Sequence, residues 1–260
     1  MEYQTIIFES SNAIASISLN RPKLHNAFND VMISELTDCF REVGSMENVR
    51  VVVLRGKGKS FCAGADLNYM KGIAQFGYRE NFEDGKRLAG LFETIYICPK
   101  PTIAIVHGAA FGGANGLLAA CDIVIADENT TFAFSEVKIG ISPATIGPYV
   151  LKRIGEFGGK ELMMTGKRFK GKEAEKFGLV NRSVSNGEME SILKDYIKQF
   201  MTSAPKAVEE TKEMINKVIE NKLENTMEYT ADLIARLRAA DEGQQGMAAF
   251  LEKRRPGWVE

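Results

Sequence analysis

Residues 102–126 read TIAIVHGAAFGGANGLLAACDIVIA and carry the clearest structural signal in the chain. Two short runs rich in β-branched residues, Thr102–Val106 and Asp122–Ala126, flank a segment of glycine, alanine and leucine. Short apolar runs of this kind are typical of strands buried on both faces of a parallel sheet. The sequence therefore predicts two buried strands joined by a tight, glycine-rich connection.

The same alternation of short and long segments continues towards the amino terminus. Short β-rich runs predict further strands, and two longer amphipathic stretches predict helices. The predicted strands are Thr5–Glu9, Ala13–Leu19 and Val49–Leu54, and the predicted helices are Val31–Val43, capped by Asn29 or Asp30, and Asn81–Ile97, which stops before Pro99. Strands alternating with helices predict an α/β fold.

Beyond about residue 187 the strand signal stops and the sequence predicts successive helices. They are Met189–Met201, Pro205–Glu220, Asn225–Arg238 and Glu242–Arg254. We therefore expect a core over residues 1–200 and a helical unit over 201–260. Apolar residues at helical spacing in that unit, Leu223, Met227, Leu233, Ile234, Leu237 and Phe250, predict a face that packs either on the chain's own core or against another subunit.

The composition excludes several classes of function. The 260 residues include 33 Lys and Arg against 34 Asp and Glu, so the net charge is −1, whereas nucleic-acid binders are strongly basic. We therefore expect no nucleic-acid or anionic-membrane partner. Met1–Ser10 lacks the basic start and apolar run of a signal peptide, and no stretch has the roughly 20 apolar residues that cross a bilayer. The expected location is the cytoplasm.

Familiar catalytic motifs are absent from the sequence. The four cysteines (Cys39, Cys62, Cys98 and Cys121) form no CxxC pair and predict reduced, buried thiols rather than a metal site. The stretch Gly56–Ser60 reads GKGKS, but Val53 stands where a phosphate-binding loop needs its first glycine, so we expect a β-turn. His107 has no nucleophile beside it and is interpreted as structural. No GxSxG or HExxH motif occurs.

Two segments combine small residues with a position just after a predicted strand. They are Ser60–Leu67, SFCAGADL, and His107–Leu117, HGAAFGGANGL. Each must turn tightly and expose backbone N–H groups, and together they could direct two N–H groups at one oxygen. Such a pair stabilises a carbonyl oxygen that gains negative charge, by roughly 3 kcal/mol per donor. Either segment alone is better explained as a tight turn packed against a helix.

These segments resemble the crotonase family, also called the enoyl-CoA hydratase and isomerase superfamily, over nearly the whole chain. The matching residues are Leu19–Lys23, Phe61–Leu67, the glycine-rich segment, Ala120–Ile123, Phe134–Val137 with Gly140 and Pro143, and Ala249–Pro256. The resemblance implies an α/β fold of the ClpP/crotonase type, a spiral of ββα units. It also implies a carboxy-terminal helical region for trimerisation, with a homotrimer or a dimer of trimers.

The resemblance also implies roles for individual residues. The Ala65 and Gly113 N–H groups would form an oxyanion hole for the thioester carbonyl of an acyl-CoA substrate. The CoA-binding residues would be Lys23, Ala63, Asp66, Leu67 and Asn68, with Phe250 and Lys253 reaching a CoA bound by a neighbouring subunit. No metal and no separate cofactor are implied, because CoA is part of the substrate.

Hydratases of this family commonly use two glutamates around one water molecule. Glu136, in Phe134–Val137, matches the second glutamate, whereas Gly116 stands at the position of the first. A carboxyl among apolar residues has a raised pKa, which suits proton transfer near neutrality. One carboxylate could serve both ends of a hydration through the water, or could move a proton between the α- and γ-carbons as an isomerase. The sequence leaves this choice open.

A finer resemblance, to the bacterial methylglutaconyl-CoA hydratase branch, favours hydration. It implies conversion of 3-methylglutaconyl-CoA to 3-hydroxy-3-methylglutaryl-CoA, a step of leucine degradation. The second carboxylate of that substrate needs a polar partner. The candidates are Asn68, Tyr69, Lys71, Tyr149 and Arg153. The alternatives are a Δ3,Δ2-enoyl-CoA isomerase and, from another class, a non-catalytic acyl-CoA-binding or RNA-binding relative.

Overall fold

The fold, seen in a computed structural model that describes residues 3–259, joins two sheets and ten α-helices. The strands are β1 (Ile6–Ser11), β2 (Ile14–Leu19), β3 (Val51–Gly56), β4 (Thr102–Val106), β5 (Ala109–Phe111), β6 (Ile123–Asp127), β7 (Thr131–Ala133), β8 (Arg168–Lys170) and β9 (Arg182–Val184). The helices are α1 (Asp30–Ser45), α2 (Leu67–Ile73), α3 (Tyr78–Tyr96), α4 (Ala114–Ala120), α5 (Gly147–Thr165), α6 (Gly171–Phe177), α7 (Met189–Thr202), α8 (Pro205–Glu220), α9 (Met227–Ala239) and α10 (Asp241–Leu251).

The larger sheet has the strand order β1-β2-β3-β4-β6-β9, and all its neighbours are parallel except the hairpin β1–β2. The smaller sheet has the order β5-β7-β8. Each return to the large sheet passes through a helix or a strand of the small sheet, so the chain repeats ββα units. The predicted α/β fold, a succession of ββα units, is confirmed.

Side chains of the central strands alternate between two apolar layers. Val52 and Leu54 of β3 join the main core, which contains α1, α3 and α4, whereas Val51 and Val53 join a second layer with Met189 and Leu193 of α7. Because both faces are covered, these strands are nearly free of polar residues. None of the helices among residues 3–259 is sufficiently long and apolar to span a bilayer.

The predicted elements are found, most of them with boundaries shifted by one to three residues. Strand β4 and helix α8 have the predicted limits, and Asn29 caps α1 by accepting a hydrogen bond from the Met32 N–H. The three-residue strands β5, β7, β8 and β9 were not predicted, because so short a run carries no periodic signal. Helices α2, α4, α5 and α6 were also not predicted. Glycine interrupts the pattern of α5, where Gly155 has a φ of +67°.

The boundary predicted between residues 200 and 201 falls within the last turn of α7. Met1, Glu2 and Glu260, which belong to the two predicted units, lie outside the described residues. Helix α8 is fixed to the core by two lysines with largely buried side chains: Lys100 pairs with Glu209 at 2.5 Å, and Lys212 pairs with Asp122 at 2.7 Å. The start of the carboxy-terminal region therefore packs on the chain's own sheet.

Asp122→Ala tests this attachment. One oxygen of Asp122 accepts hydrogen bonds from the Thr102 N–H, the Thr102 hydroxyl and the Lys212 ammonium. The variant therefore leaves a largely buried lysine without its carboxylate partner, with the Lys100 carbonyl oxygen as its remaining acceptor. We expect the free energy of unfolding, measured by urea denaturation, to fall by about 3 kcal/mol. The exposed pair of Asp232 and Arg236 on α9 provides the control: Asp232→Ala should cost less than about 1 kcal/mol. Equal costs would contradict the attachment.

Candidate active site

Three chain segments run side by side in parallel and end at one edge. Cys62 pairs with Ala110, and Ala110 pairs with Phe132 through the β5–β7 ladder. Ala65 and Gly113 each lie three residues beyond their paired positions, and Glu136 lies four residues beyond Phe132. Because parallel segments in register end together, the two predicted N–H donors and the predicted carboxyl reach the same edge of the small sheet.

Ala65 and Gly113 are half-buried, and their backbone N–H groups have no acceptor within the described residues. The Ala65 peptide is fixed by Phe28, whose N–H donates to the Gly64 carbonyl oxygen and whose carbonyl oxygen accepts from the Asp66 N–H, each at 2.9 Å. Buried N–H groups are normally paired, so two free donors at one edge form a site for an acceptor oxygen.

Glycine is required at both turns for different reasons. Gly64 has a φ of +91°, and a Cβ there would lie 2.9 Å from the Phe111 carbonyl oxygen. At Gly113 a Cβ would lie 2.6 Å from Cζ of Phe28, whose ring is buried against this glycine. The Phe28 ring thus fixes the position of the Gly113 N–H. Sequence analysis did not identify Phe28, because its only signal was an apolar residue before α1.

Glu136 lies in the 3-10 turn Ser135–Ile139, directly after β7. Its Oε1 is 3.2 Å from the place where a Cβ on Gly112 would stand, so the carboxyl lies against the peptide that leads to the Gly113 N–H. Its Oε2 is buried and has no hydrogen-bond partner among residues 3–259. Burial raises the pKa of Glu136, and a hydrogen bond with its own backbone offsets this only in part. The carboxyl is therefore suited to taking up and returning a proton.

The space beside Gly116 is closed. A Cβ at this position would overlap Cγ2 of Ile146 and would lie 2.8 Å from the ring of Phe92. Both side chains are fully buried. A carboxylate cannot occupy the position of the family's first glutamate unless this apolar contact opens. Glu136 is thus the one carboxyl that the described residues bring next to the Gly112–Gly113 turn.

Asp66 has a structural role in this fold. Its side chain caps α2 by accepting hydrogen bonds from the Asn68 and Tyr69 N–H groups, and it pairs with Arg21 at 2.9 Å. Burial acts to raise the pKa of Asp66, but the Asn68 N–H, the Arg21 guanidinium and the Tyr69 N–H outweigh burial and lower it. The carboxylate is occupied by these partners, and the Asp66 N–H and carbonyl oxygen are hydrogen-bonded to Phe28 and Met70. The CoA-binding role of Asp66 therefore stays a prediction.

Asp66→Asn should reduce stability in a pH-dependent way. A carboxyl whose pKa is lower in the folded state than in the unfolded state stabilises the fold at pH values above the unfolded pKa. This stabilisation is lost as pH falls through the folded pKa. We therefore expect the variant to lose about 1–3 kcal/mol near neutral pH and little under strongly acidic conditions. Urea denaturation across the pH range measures this. A loss that does not change with pH would contradict the ionised Asp66–Arg21 pair.

The remaining predicted CoA-binding residues fall into two groups. Ala63, Leu67 and Asn68 flank Ala65 in sequence, and Lys23 lies two residues before His25, whose carbonyl oxygen accepts a hydrogen bond from the Ala63 N–H at 2.9 Å. Lys23, Leu67 and Asn68 are exposed. Phe250 and Lys253 lie at the end of α10, where the Phe250 side chain is 83% exposed. Within residues 3–259 no hydrogen bond or ion pair joins these two to the first group. The contact of Phe250 and Lys253 with a CoA bound by a neighbouring subunit therefore stays a prediction.

The five candidates for binding a second substrate carboxylate are in different surroundings. Arg153 donates to the Cys121 carbonyl oxygen and to Asn181, and the Tyr69 hydroxyl donates to Asp84 at 2.6 Å, so both have partners. Tyr149 packs edge-on against Tyr96 and lines a cavity of about 600 Å³ between α3, α5 and α8. Only Asn68 and Lys71, on α2 beside Ala65, combine a position near the N–H donors with side-chain polar groups that are not engaged within the described chain.

Two interpretations outside the site are confirmed. The four cysteines are buried and unpaired, and burial raises the pKa of Cys62 and Cys121 to about 12, so both remain thiols. Residues 57–59 form a turn rather than a phosphate loop, and His107 Nε2 lies 2.9 Å from the Gly58 carbonyl oxygen. His107 thus contacts this turn, as expected of a structural histidine.

Comparisons with known proteins agree with this geometry. Residues 9–260 match the family model described as enoyl-CoA hydratase/isomerase. The chain is 33% identical to a crotonyl-CoA hydratase of Syntrophomonas wolfei, over 100% of this chain and 99% of that protein. It is 32% identical to a short-chain-enoyl-CoA hydratase of Clostridium acetobutylicum, over 98% and 97%. The crystal structure of an enoyl-CoA hydratase from Shewanella pealeana superposes with a TM-score of 0.95 at 35% identity, covering 99% of this chain and 97% of that one.

Proposed function

The chain belongs to the enoyl-CoA hydratase/isomerase family, and from that premise we propose that it adds water across the 2,3-double bond of an enoyl-CoA thioester. The observation that supports this most is the meeting of two free N–H groups, at Ala65 and Gly113, with the buried carboxyl of Glu136. Hydration of a conjugated thioester needs one site for negative charge on the carbonyl oxygen and one group that moves protons.

The proposed reaction uses Glu136 twice. Its carboxylate removes a proton from water as the water oxygen bonds to C3, and the electron pair of the double bond moves to the thioester oxygen. The Ala65 and Gly113 N–H groups hold that enolate oxygen. Protonated Glu136 then gives its proton to C2, which restores the carbonyl and the carboxylate. Substrate, water, Glu136 and two N–H donors suffice for these steps, so the proposal includes no metal or separate cofactor.

We propose 3-methylglutaconyl-CoA as the substrate and 3-hydroxy-3-methylglutaryl-CoA as the product, a step of leucine degradation. The support is the sequence resemblance to the methylglutaconyl-CoA hydratase branch, where glycine occupies the Gly116 position. The closed contact of Phe92 and Ile146 around Gly116 agrees with a mechanism that has one carboxylate. Asn68 and Lys71 are the candidates for meeting the second carboxylate of the substrate.

A Δ3,Δ2-enoyl-CoA isomerase is the second candidate function. The observation that favours it is again the single carboxyl beside the Gly112–Gly113 turn, because moving a proton between C2 and C4 needs one group and no water. Both candidates use the same two N–H donors. They differ in the mass of the product, which increases by one water in a hydration and stays constant in an isomerisation.

We also propose that the chain forms a homotrimer or a dimer of trimers in the cytoplasm. Apolar side chains of the carboxy-terminal region, Leu223, Met227, Phe250 and Leu251, are each more than 70% exposed, and exposed apolar surface of this kind favours subunit contact. The four buried free thiols agree with a reducing compartment. Light scattering of the purified protein measures the assembly directly.

The substrate proposal is tested by incubating the enzyme separately with 3-methylglutaconyl-CoA, crotonyl-CoA and a 3-enoyl-CoA. Hydration is followed by product mass, and isomerisation, which leaves the mass unchanged, is followed by the absorbance of the conjugated 2-enoyl thioester. We expect kcat/KM to be highest for 3-methylglutaconyl-CoA. A preference for crotonyl-CoA would support hydration but contradict 3-methylglutaconyl-CoA as the substrate. Turnover of the 3-enoyl-CoA alone would support the isomerase, and binding without turnover would support the non-catalytic alternative.

A further inference from the structure

Asn115 is a fully buried polar side chain that the proposed mechanism does not use. It lies in the first turn of α4, two residues after Gly113, and has no solvent exposure. Its Nδ2 donates to the Ala133 carbonyl oxygen at 2.9 Å, whereas its Oδ1 is buried and accepts no hydrogen bond from residues 3–259. An unpaired buried acceptor costs about 1–3 kcal/mol. A residue kept at such a cost in a fold this well packed calls for an explanation.

The Ala133 carbonyl oxygen links the two halves of the site. It accepts a second hydrogen bond, from the Gly112 N–H, also at 2.9 Å. Gly112 and Asn115 belong to the segment that carries the Gly113 N–H donor. Ala133 is the last residue of β7 and lies three residues before Glu136. One carbonyl therefore joins the donor segment to the carboxyl segment at two points.

These two points are geometrically distinct. The Gly112 hydrogen bond continues the parallel pairing of β5 with β7 and would form without Asn115. The Asn115 hydrogen bond comes from α4, beyond the turn, and ties the start of that helix to the end of β7. The peptide of Gly113 lies between the two attachments. With only the first, the turn could rotate about Gly112, which has a φ of +54°.

We propose that Asn115 is a positioning residue: by donating to the Ala133 carbonyl oxygen, its side-chain amide holds the Gly113 N–H in register with the Glu136 carboxyl. The inference rests on the proposed function, because it assigns Asn115 to the same site. It also explains why the Oδ1 is left unpaired. The donor half of the amide is what the site needs, and no isosteric apolar side chain supplies it.

Two variants separate this role from a general role in folding. Asn115→Ala removes the amide, yet the Ala133 carbonyl oxygen keeps its hydrogen bond from Gly112, so no buried group is newly unpaired. Asn115→Asp keeps the shape and the acceptor and removes the Nδ2 donor. It is assayed above neutral pH, because only the ionised carboxylate lacks a proton to donate. Asn48→Asp makes the same chemical change at an exposed position before β3, at the other end of the strand from the site, and serves as the control.

The readouts are kcat and KM for crotonyl-CoA, the thermal midpoint, and the absorption of a bound dienoyl-CoA thioester, which shifts to the red when N–H groups polarise its carbonyl. We expect both Asn115 variants to lower kcat about 100-fold, because a displacement near 1 Å costs that much. KM should stay within about threefold, since the CoA-binding residues are untouched. The red shift should shrink in both, and the Asn48→Asp protein should match the wild type.

Wild-type kcat and red shift in Asn115→Ala would overturn the proposal. A lower activity that only follows a lower fraction of folded protein, with the red shift of the folded protein intact, would also overturn it. Failure of the proposed function appears differently: the wild type would then bind the dienoyl-CoA with a red shift and hydrate no substrate. In that case a smaller shift in the two variants still supports the positioning role, whereas an unchanged shift refutes it.

Discussion

Glu136→Gln is expected to lower kcat for hydration by about 10³-fold, because general acid–base catalysis by one positioned group contributes about 10²–10⁴-fold. The two N–H donors and the CoA-binding residues are untouched, so KM should change little. Stopped assays that follow the product by mass measure the residual rate. Glu156→Gln, which alters an exposed carboxylate on α5, is the control and should retain the wild-type rate.

The same variant should be as stable as the wild type or more stable at neutral pH. A carboxyl whose pKa is raised in the folded state contributes stability below its unfolded pKa, and this contribution is lost as pH rises through the folded pKa. At neutral pH the buried carboxylate therefore opposes folding, and glutamine removes that charge. A large drop in the thermal midpoint of Glu136→Gln would contradict this environment for Glu136.

The raised pKa of Glu136 also predicts the pH dependence of the rate. The carboxyl must be ionised to accept a proton from water, so kcat/KM should fall on the acidic side with an apparent pKa above the usual glutamate value of about 4.3. The residual activity of Glu136→Gln should lack this limb. If kcat/KM of the variant still falls at acidic pH, a group other than Glu136 causes that fall.

Gly113→Ala has the second large expected effect, a fall in kcat of about 100-fold. The new Cβ would lie 2.6 Å from Cζ of Phe28, a separation that real Cβ atoms do not adopt, so the peptide must move. Because the Phe28 ring is buried and cannot shift easily, we expect the Gly113 N–H to be displaced instead. Loss of one oxyanion-hole donor lowers kcat by about 10²–10³-fold. Steady-state kinetics with crotonyl-CoA measure the change.

Two further variants identify the cause of that loss. Gly90→Ala places the same methyl group on α3 and should leave kcat unchanged, because within residues 3–259 no atom beyond the helix's own backbone and the neighbouring residues would lie within 4 Å of it. Phe28→Leu removes the ring atom that the new Cβ would meet, so the double variant Gly113→Ala with Phe28→Leu should recover part of the lost kcat. If the double variant is as slow as Gly113→Ala, the contact with Phe28 is not the reason.

Local sequence signals predicted the α/β fold class and two tight turns, and the family resemblance named the residues that meet at the site edge. The strand runs before residues 60 and 107 and the glycines after them placed Ala65 and Gly113 at turns, and the match of Phe134–Val137 named Glu136. Their adjacency depends on the Cys62–Ala110 and Ala110–Phe132 pairings. Those pairings involve strands too short to leave a pattern, so the geometry needed the structure.

Contacts between distant segments were beyond sequence analysis for the same reason. No local pattern indicates that Phe92 of α3 and Ile146 fill the space beside Gly116. Nor does any local pattern indicate that Arg21 forms an ion pair with Asp66. Asn115 belongs to the glycine-rich segment that the sequence singles out, but its hydrogen-bond partner, Ala133, lies 18 residues away. Long-range packing therefore assigned a structural role to Asp66 and drew attention to Asn115.

The most direct test of the account is hydration of crotonyl-CoA in ¹⁸O-labelled water, with the product analysed by mass for the wild type and Glu136→Gln. We expect a product that carries one labelled oxygen in the wild type and about 10³-fold slower labelling in the variant. An unlabelled product of unchanged mass, or labelling at the same rate in both proteins, would contradict the proposal that Glu136 and the two N–H donors add water to the thioester.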